Sequence, residues 1–234
     1  MIYYIHMYSL TVIIPFYNEQ DFLEESFKRL YLSNVADQIY LVDDASTDSS
    51  KEIALKIEKS YENVKYFSNK SNKGKGSALT LVKNHIKTSH IVIHDADLEY
   101  DPYDLIELKK ISIINENSLI LGSRFIGNLE RNNLYKSTFF ANKFLSRLFS
   151  IVYFYKITDI ATCYKMFPTE FFKNVNFKEK GFSIEIEILA KYLKYNKSVF
   201  ESSINYSGRS YDEGKKIHIR DGFLYIINIF KYRF

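Results

Sequence analysis

The sequence predicts an α/β protein built on a mainly parallel, doubly wound sheet, and three observations lead there. Short apolar runs alternate with stretches striped at helical spacing. Several of the runs stop abruptly in acidic or polar residues. Strands laid parallel by helical crossovers collect those carboxyl ends at one edge, which is where such sheets bind ligands.

Taken in order, Leu10 to Pro15 is a continuous apolar run, as in a strand covered on both faces. Asn18 offers a helix N-cap, and Leu23, Phe27 and Leu30 stripe the helix behind it. Ile39 to Val42 is a second strand ending in Asp43-Asp44. Ser46-Thr47-Asp48-Ser49 is a turn and cap before a helix carrying Ile53, Ile57 and Tyr61. Val64 to Phe67 is a third strand. The loop Ser68 to Lys75 leads into a helix with Leu79, Val82 and Ile86.

Ile91-Val92-Ile93 is a fourth, β-branched strand, followed by a helix behind Pro102 and a fifth strand, Leu119 to Leu121, before Gly122-Ser123-Arg124. Beyond about residue 130 the pattern changes. Leu134 to Tyr155 reads as one or two amphipathic helices, Asp159 to Phe167 as a loop or short strand, and Ile184 to Leu193 as a helix. Ser198 to Tyr206 reads as a strand, Gly208 to Lys216 as a polar loop, and Ile217 to Phe234 as a basic, aromatic helix. No repeat or linker interrupts the chain, so residues 1–234 form one domain with a C-terminal elaboration.

The 234 residues suffice for one sizeable core, and the charged and hydrophobic fractions exclude wholesale disorder. A net charge of +4 suits a phosphate-bearing partner or an anionic membrane surface without requiring nucleic acid, which is not expected as a partner. Cys163 is the only cysteine, so no intramolecular disulfide forms and a reducing compartment is expected. Met1 to Tyr8 is too short for a signal core, and no apolar window reaches the roughly 18 residues that span a bilayer. The expected location is cytoplasmic, with peripheral attachment to the membrane face allowed.

The chemistry centres on His94-Asp95-Ala96-Asp97-Leu98-Glu99. In an extended chain Asp95, Asp97 and Glu99 share a side. Like charges at ~4 Å repel by about 4 kcal/mol per pair at an effective dielectric near 20, so an ionised cluster wants a cation. Oxygen ligands favour Mg²⁺ or Mn²⁺ shared with substrate phosphates. The competing reading is a solvated acidic turn capping the next helix. His94 points to the opposite face and reads as a hydrogen-bonded core histidine, and Cys163 as packing.

Val12-Ile13-Ile14-Pro15-Phe16-Tyr17-Asn18-Glu19, Leu41-Val42-Asp43-Asp44-Ala45-Ser46-Thr47-Asp48, Asn72-Lys73-Gly74-Lys75-Gly76-Ser77-Ala78 and Asp95-Ala96-Asp97 together resemble family 2 glycosyltransferases of the GT-A fold. Gly122-Ser123-Arg124, Thr158-Asp159 with Thr162-Cys163-Tyr164-Lys165, and Arg209 to Lys216 extend the likeness toward dolichol-phosphate mannose synthases and bacterial polyprenyl-phosphate glycosyltransferases. The resemblance implies a nucleotide-sugar half, residues 1–124, and an acceptor half, 125–234. It places Pro15, Tyr17, Glu19, Asp44, Lys75, Ala96 and Lys215 at the nucleotide, with Asp44 accepting from the base. Asp95 and Asp97 hold the metal, with Glu99 as a third ligand where the synthases often carry Gln.

By the same resemblance Arg124 binds the acceptor phosphate, the alternative being a salt bridge to the acidic cluster. Lys136, in preference to Arg131, supplies a second cation. Arg209, Lys215 and Lys216 sit on a loop suited to closing over the diphosphate. Asp159 lies near the acceptor, as a positioning group for a phosphate or as a base for a hydroxyl. The implied activity is inverting, metal-dependent transfer from a GDP- or UDP-sugar to a polyprenyl phosphate. A separate membrane anchor protein is a further implied partner.

Two rival readings stand beside it. One is transfer to a sugar hydroxyl of a surface polysaccharide, with Asp159 or a Glu of Ile184 to Ile188 as base. The other is a catalytically silent nucleotide-binding scaffold. A dinucleotide-binding loop is excluded because Leu79 stands where G-x-G-x-x-G needs its third glycine.

Overall fold

A computed structural model describes residues 8–127, 129, 131–132, 135–209 and 219–234. The first half runs β1 (Leu10–Phe16), α1 (Leu23–Leu32), β2 (Gln38–Asp43), α2 (Ser50–Ser60), β3 (Val64–Ser68), α3 (Lys75–Leu81), β4 (His90–Ile93), α4 (Asp104–Ile114) and β5 (Leu119–Ser123). The second adds β6 (Arg131–Asn132), α5 (Lys136–Tyr153), β7 (Lys165–Pro168), α6 (Thr169–Asn174), α7 (Ile184–Tyr195), β8 (Val199–Ser203), β9 (Tyr206–Ser207) and α8 (Ile219–Lys231).

The main sheet has seven strands in the order β3-β2-β1-β4-β7-β5-β8. All its pairs are parallel except those of β7, which lies antiparallel between β4 and β5. β6 and β9 make a small second sheet. Alternation along β1 explains the layering. Ile13 faces a core shared with α3, α5, α7 and α8, whereas Val12 and Ile14 face a core shared with α1, α2 and α4. Each such side chain contributes about 1.5–3 kcal/mol on full burial.

Most predicted elements are present within a few residues, and three points matter. Asn18 does not cap α1. It sits at φ +50° and turns its carboxamide across to Thr47, tying the loops after β1 and β2 together while α1 starts later, at Leu23. The stretch from Asp159 to Phe167, expected as a loop or short strand, does contain a short strand, β7, whose place between β4 and β5 the sequence does not show. Third, the chain leaves extended geometry after Ile93, and Leu98 takes φ +61°, so the strict alternation assumed for Asp95, Asp97 and Glu99 does not continue.

Candidate active site

The ends of β1, β2, β4 and β5 open onto one cavity of about 260 Å³. β1 and the turn after it bring Pro15, Tyr17 and Glu19; β2 brings Asp44; the segment after β4 brings Asp95, Ala96, Asp97 and Glu99; β5 brings Arg124. Lys75 at the head of α3 and Arg209 after β9 complete the predicted lining. Arg131's side chain, Lys215 and Lys216 lie outside the described residues. Lys136 is exposed and off the cavity wall; Thr138 and Asn142 of the same helix line it instead.

Asp44, expected at the nucleotide, lies on the cavity wall but is already engaged. Its oxygens accept from the backbone N–H groups of Lys73 and Gly74 and from Asn69 Nδ2. The carboxylate therefore pins the loop before α3, and pairing with a base would have to displace one of these donors. Gly74 and Gly76 serve the same loop. A Cβ on either would meet the backbone carbonyl of Lys180 or Glu179 at 2.6 or 2.1 Å, and Gly74 has φ +95°. Their smallness admits the chain's own 179–181 segment against the cavity.

Asp95 is the first member of a buried chain of alternating charge. Lys75 Nζ lies 2.7 Å from Asp95 Oδ1 and 2.8 Å from Glu185 Oε1, and Lys165 Nζ lies 2.5 Å from Glu185 Oε2. Burial opposes the Lys75 charge, but Asp95 and Glu185 outweigh it and hold its pKa well above the ordinary value. Asp97 contrasts with this. Burial, then the negative charges of Glu99 and Asp95, push its carboxyl up to about 8, against a smaller opposing pull from Arg209.

Arg124 is tied to Asp159 rather than to the cavity's own carboxylates. Nε and Nη2 reach the two oxygens of Asp159 at 2.7 and 2.9 Å. Asp159 has no exposed surface and lies behind Arg124, off the cavity wall. The guanidinium also stacks on Tyr206, 4.9 Å from the ring centroid. His94 behaves as expected: its ring nitrogens meet Ser26 Oγ and Tyr164 Oη, and burial pushes its pKa down to about 4. Cys163 is buried at the cavity, and desolvation raises its thiol pKa.

The expected carboxylate triad does not form. Among the described residues no three His, Cys, Asp or Glu side chains make a group able to hold a metal. Glu99 has turned away, its oxygens taking the Tyr206 hydroxyl and the Arg209 backbone N–H, both at 2.8 Å. The pair Asp95 and Asp97 still fits a divalent cation. Six carboxylates and three cations line the cavity, an excess of hard oxygen donors that suits a divalent cation.

Residues that sequence reasoning did not place at the nucleotide or acceptor include Tyr206, Tyr225, Thr138 and Asn142. Glu185 was considered only as one of several alternative bases. All come from the second half, where no strand-end pattern marks the residues that face the site.

Sheet order and cavity position define the GT-A class of α/β fold. The chain belongs to glycosyl transferase family 2, whose family model matches residues 11–175. It is similar to the dolichol-phosphate mannosyltransferase of Pyrococcus furiosus, 30% identical over 216 residues, covering 89% of this chain and 60% of that protein. It is also similar to a dolichyl-phosphate beta-glucosyltransferase of Trichomonas vaginalis, 27% identical over 128 residues, covering 49% of this chain and 40% of that one. The chain thus spans 60% or less of these two relatives. A glucosyl-3-phosphoglycerate synthase from Mycobacterium tuberculosis, solved with Mn²⁺, UDP and phosphoglyceric acid, shares the fold at TM-score 0.74 and 14% identity, over 97% of this chain and 79% of that one.

Proposed function

We propose that this chain is an inverting, metal-dependent glycosyltransferase that moves a sugar from a GDP- or UDP-linked donor to a polyprenyl phosphate at a membrane surface. The observation that carries the reading is the placement of Asp95, Asp97, Arg209 and Arg124 around one cavity, with Arg124 held in bidentate geometry by Asp159. The dolichol-phosphate relatives support the phosphate acceptor.

Asp95 and Asp97 would hold Mg²⁺ or Mn²⁺, whose contribution is to neutralise charge on the leaving diphosphate. Arg209 adds a second positive charge beside Asp97, 3.5 Å away, and its buried Nε–H has no partner among the described residues, a donor suited to a ligand. Arg124, steadied by Asp159, orients the acceptor phosphate for in-line attack. A phosphate oxygen is already anionic, so no general base is needed. This favours phosphate over a sugar hydroxyl, because Asp159 is committed to Arg124 and Glu185 to two lysines.

The lipid part of the acceptor has a surface to lie against. Phe140, Phe144, Ile151 and Phe154 form an exposed stripe along α5 and the residue past it, interrupted by Arg147. Phe223, Ile227, Phe230 and Phe234 form another along α8 and its end. The opposite faces are in the core through Leu145, Phe149, Tyr225 and Ile229. α5 carries Lys136, Lys143 and Arg147 and no carboxylate, which suits anionic headgroups. No described helix is long and apolar enough to cross a membrane. A separate anchor protein would be an additional partner.

The direct test is Asp97→Ala with a short polyprenyl phosphate as acceptor. Loss of transfer with retained folding supports the assignment, and undiminished transfer refutes it.

A further inference from the structure

Glu99 makes contacts that a metal ligand does not need. Its Oε2 accepts from the Tyr206 hydroxyl and its Oε1 from the Arg209 backbone N–H, both at 2.8 Å. Its own carbonyl accepts from Ser207 N–H at 2.9 Å, and Tyr100 bridges Tyr206. One side chain therefore fastens the β9 region, from Tyr206 to Arg209, to the segment after β4.

The two partners lead to two of the cations that line the cavity. Arg209 extends from the anchored backbone to Glu19, at 3.2 Å, and Asp97, at 3.5 Å, with its guanidinium carbon 4.7 Å from the Phe22 centroid. Tyr206 is the ring nearest the Arg124 guanidinium, at 4.9 Å against 5.8 Å for Phe125 and 5.9 Å for Tyr100. Its phenol is held by Glu99 and its edge packs on Tyr100.

We infer that Glu99 is a positioning residue and not a ligand of the cation: it fixes Arg209 through that residue's backbone N–H, and Arg124 through the Tyr206 ring. Both bonds end on the one side-chain carboxyl group, so a single group holds both partners. The left-handed backbone at Leu98 is what turns Glu99 out of line with Asp95 and Asp97. The same carboxylate thereby sets the spacing between the cation facing the donor diphosphate and the cation facing the acceptor. This inference rests on the transferase reading above.

The experiment uses the full chain and three variants, Glu99→Ala, Glu99→Gln and Tyr206→Phe. Binding of GDP and UDP is measured by calorimetry at saturating Mn²⁺, without turnover, together with Mn²⁺ affinity alone and the KM for a short polyprenyl phosphate. Glu99→Ala is expected to weaken diphosphate binding about tenfold, and Glu99→Gln, which can still accept the Arg209 N–H, to recover most of that loss. Tyr206→Phe is expected to raise the acceptor KM about fivefold with diphosphate binding unchanged. If Gln is as damaging as Ala and both lower Mn²⁺ affinity more than tenfold, Glu99 is a ligand and the inference falls. A silent Tyr206→Phe overturns the link to Arg124. Wild-type protein that binds neither diphosphate with Mn²⁺ instead refutes the transferase reading itself, and the inference with it.

Discussion

Arg124 and Asp159 meet through two parallel contacts, Nε to Oδ2 at 2.7 Å and Nη2 to Oδ1 at 2.9 Å, with Asp159 entirely shielded from solvent. The Arg124 backbone N–H donates to the same Oδ2. Removing one partner of such a pair strands a buried charge. Asp159→Ala is therefore expected to lower unfolding free energy by about 3–5 kcal/mol in urea titrations. It should also raise the acceptor KM while leaving diphosphate binding intact, since Asp159 lies off the cavity wall. Unchanged stability would contradict the pairing.

Lys75 bridges Asp95 and Glu185, at 2.7 and 2.8 Å, and offsets their mutual repulsion. Lys75→Met leaves two carboxylates facing each other and is expected to cost about 3–5 kcal/mol. Lys165 still faces Glu185, so the partner change is Asp95→Asn, which removes the other stranded carboxylate and should return at least ~1 kcal/mol, a coupling that a double-mutant cycle measures. Strict additivity would show that the chain of charges is not cooperative.

Burial keeps His94 neutral, with its pKa depressed to about 4 from 6.5. Between those values the unfolded chain binds a proton that the folded chain does not, so stability rises with pH through this window and is lost as pH falls from 6.5 toward 4. The full effect is about 3 kcal/mol. Comparing wild type with His94→Asn in urea at pH 7 and pH 4.5 isolates the contribution from the carboxylates. The variant should lose less stability on acidification, and equal losses would remove His94 as the cause.

The exposed stripes of α5 and α8 predict membrane binding through these two helices, neither of which is long and apolar enough to span a bilayer. Phe223→Ser with Phe230→Ser removes apolar surface without touching the core. The double variant should fold normally but float poorly with vesicles containing anionic lipid, with binding reduced about tenfold or more. Equal flotation would place the contact elsewhere.

The first half was legible because its signals are local. A buried strand writes itself as an apolar run, and the polar residue after it must lie at the sheet edge, which located Tyr17, Asp44, Asp95 and Arg124 together. The place of β7 was not legible. Four residues containing a fully buried lysine give no strand period, and only the folded chain shows Lys165 meeting Glu185 and β7 entering between β4 and β5. For Glu99 the spacing shows only a possible ligand set, whereas its bonds to Tyr206 and Arg209 across a left-handed Leu98 need the folded chain. For α5 and α8 the amphipathic pattern was visible, whereas the solvent-facing position of the phenylalanines needed the packing.

The most direct measurement is metal-dependent release of nucleoside diphosphate from a panel of GDP- and UDP-sugars, with and without a short polyprenyl phosphate. The account predicts release from one donor class that requires both Mg²⁺ or Mn²⁺ and the lipid phosphate. Release that ignores the lipid but rises with an oligosaccharide acceptor would contradict it.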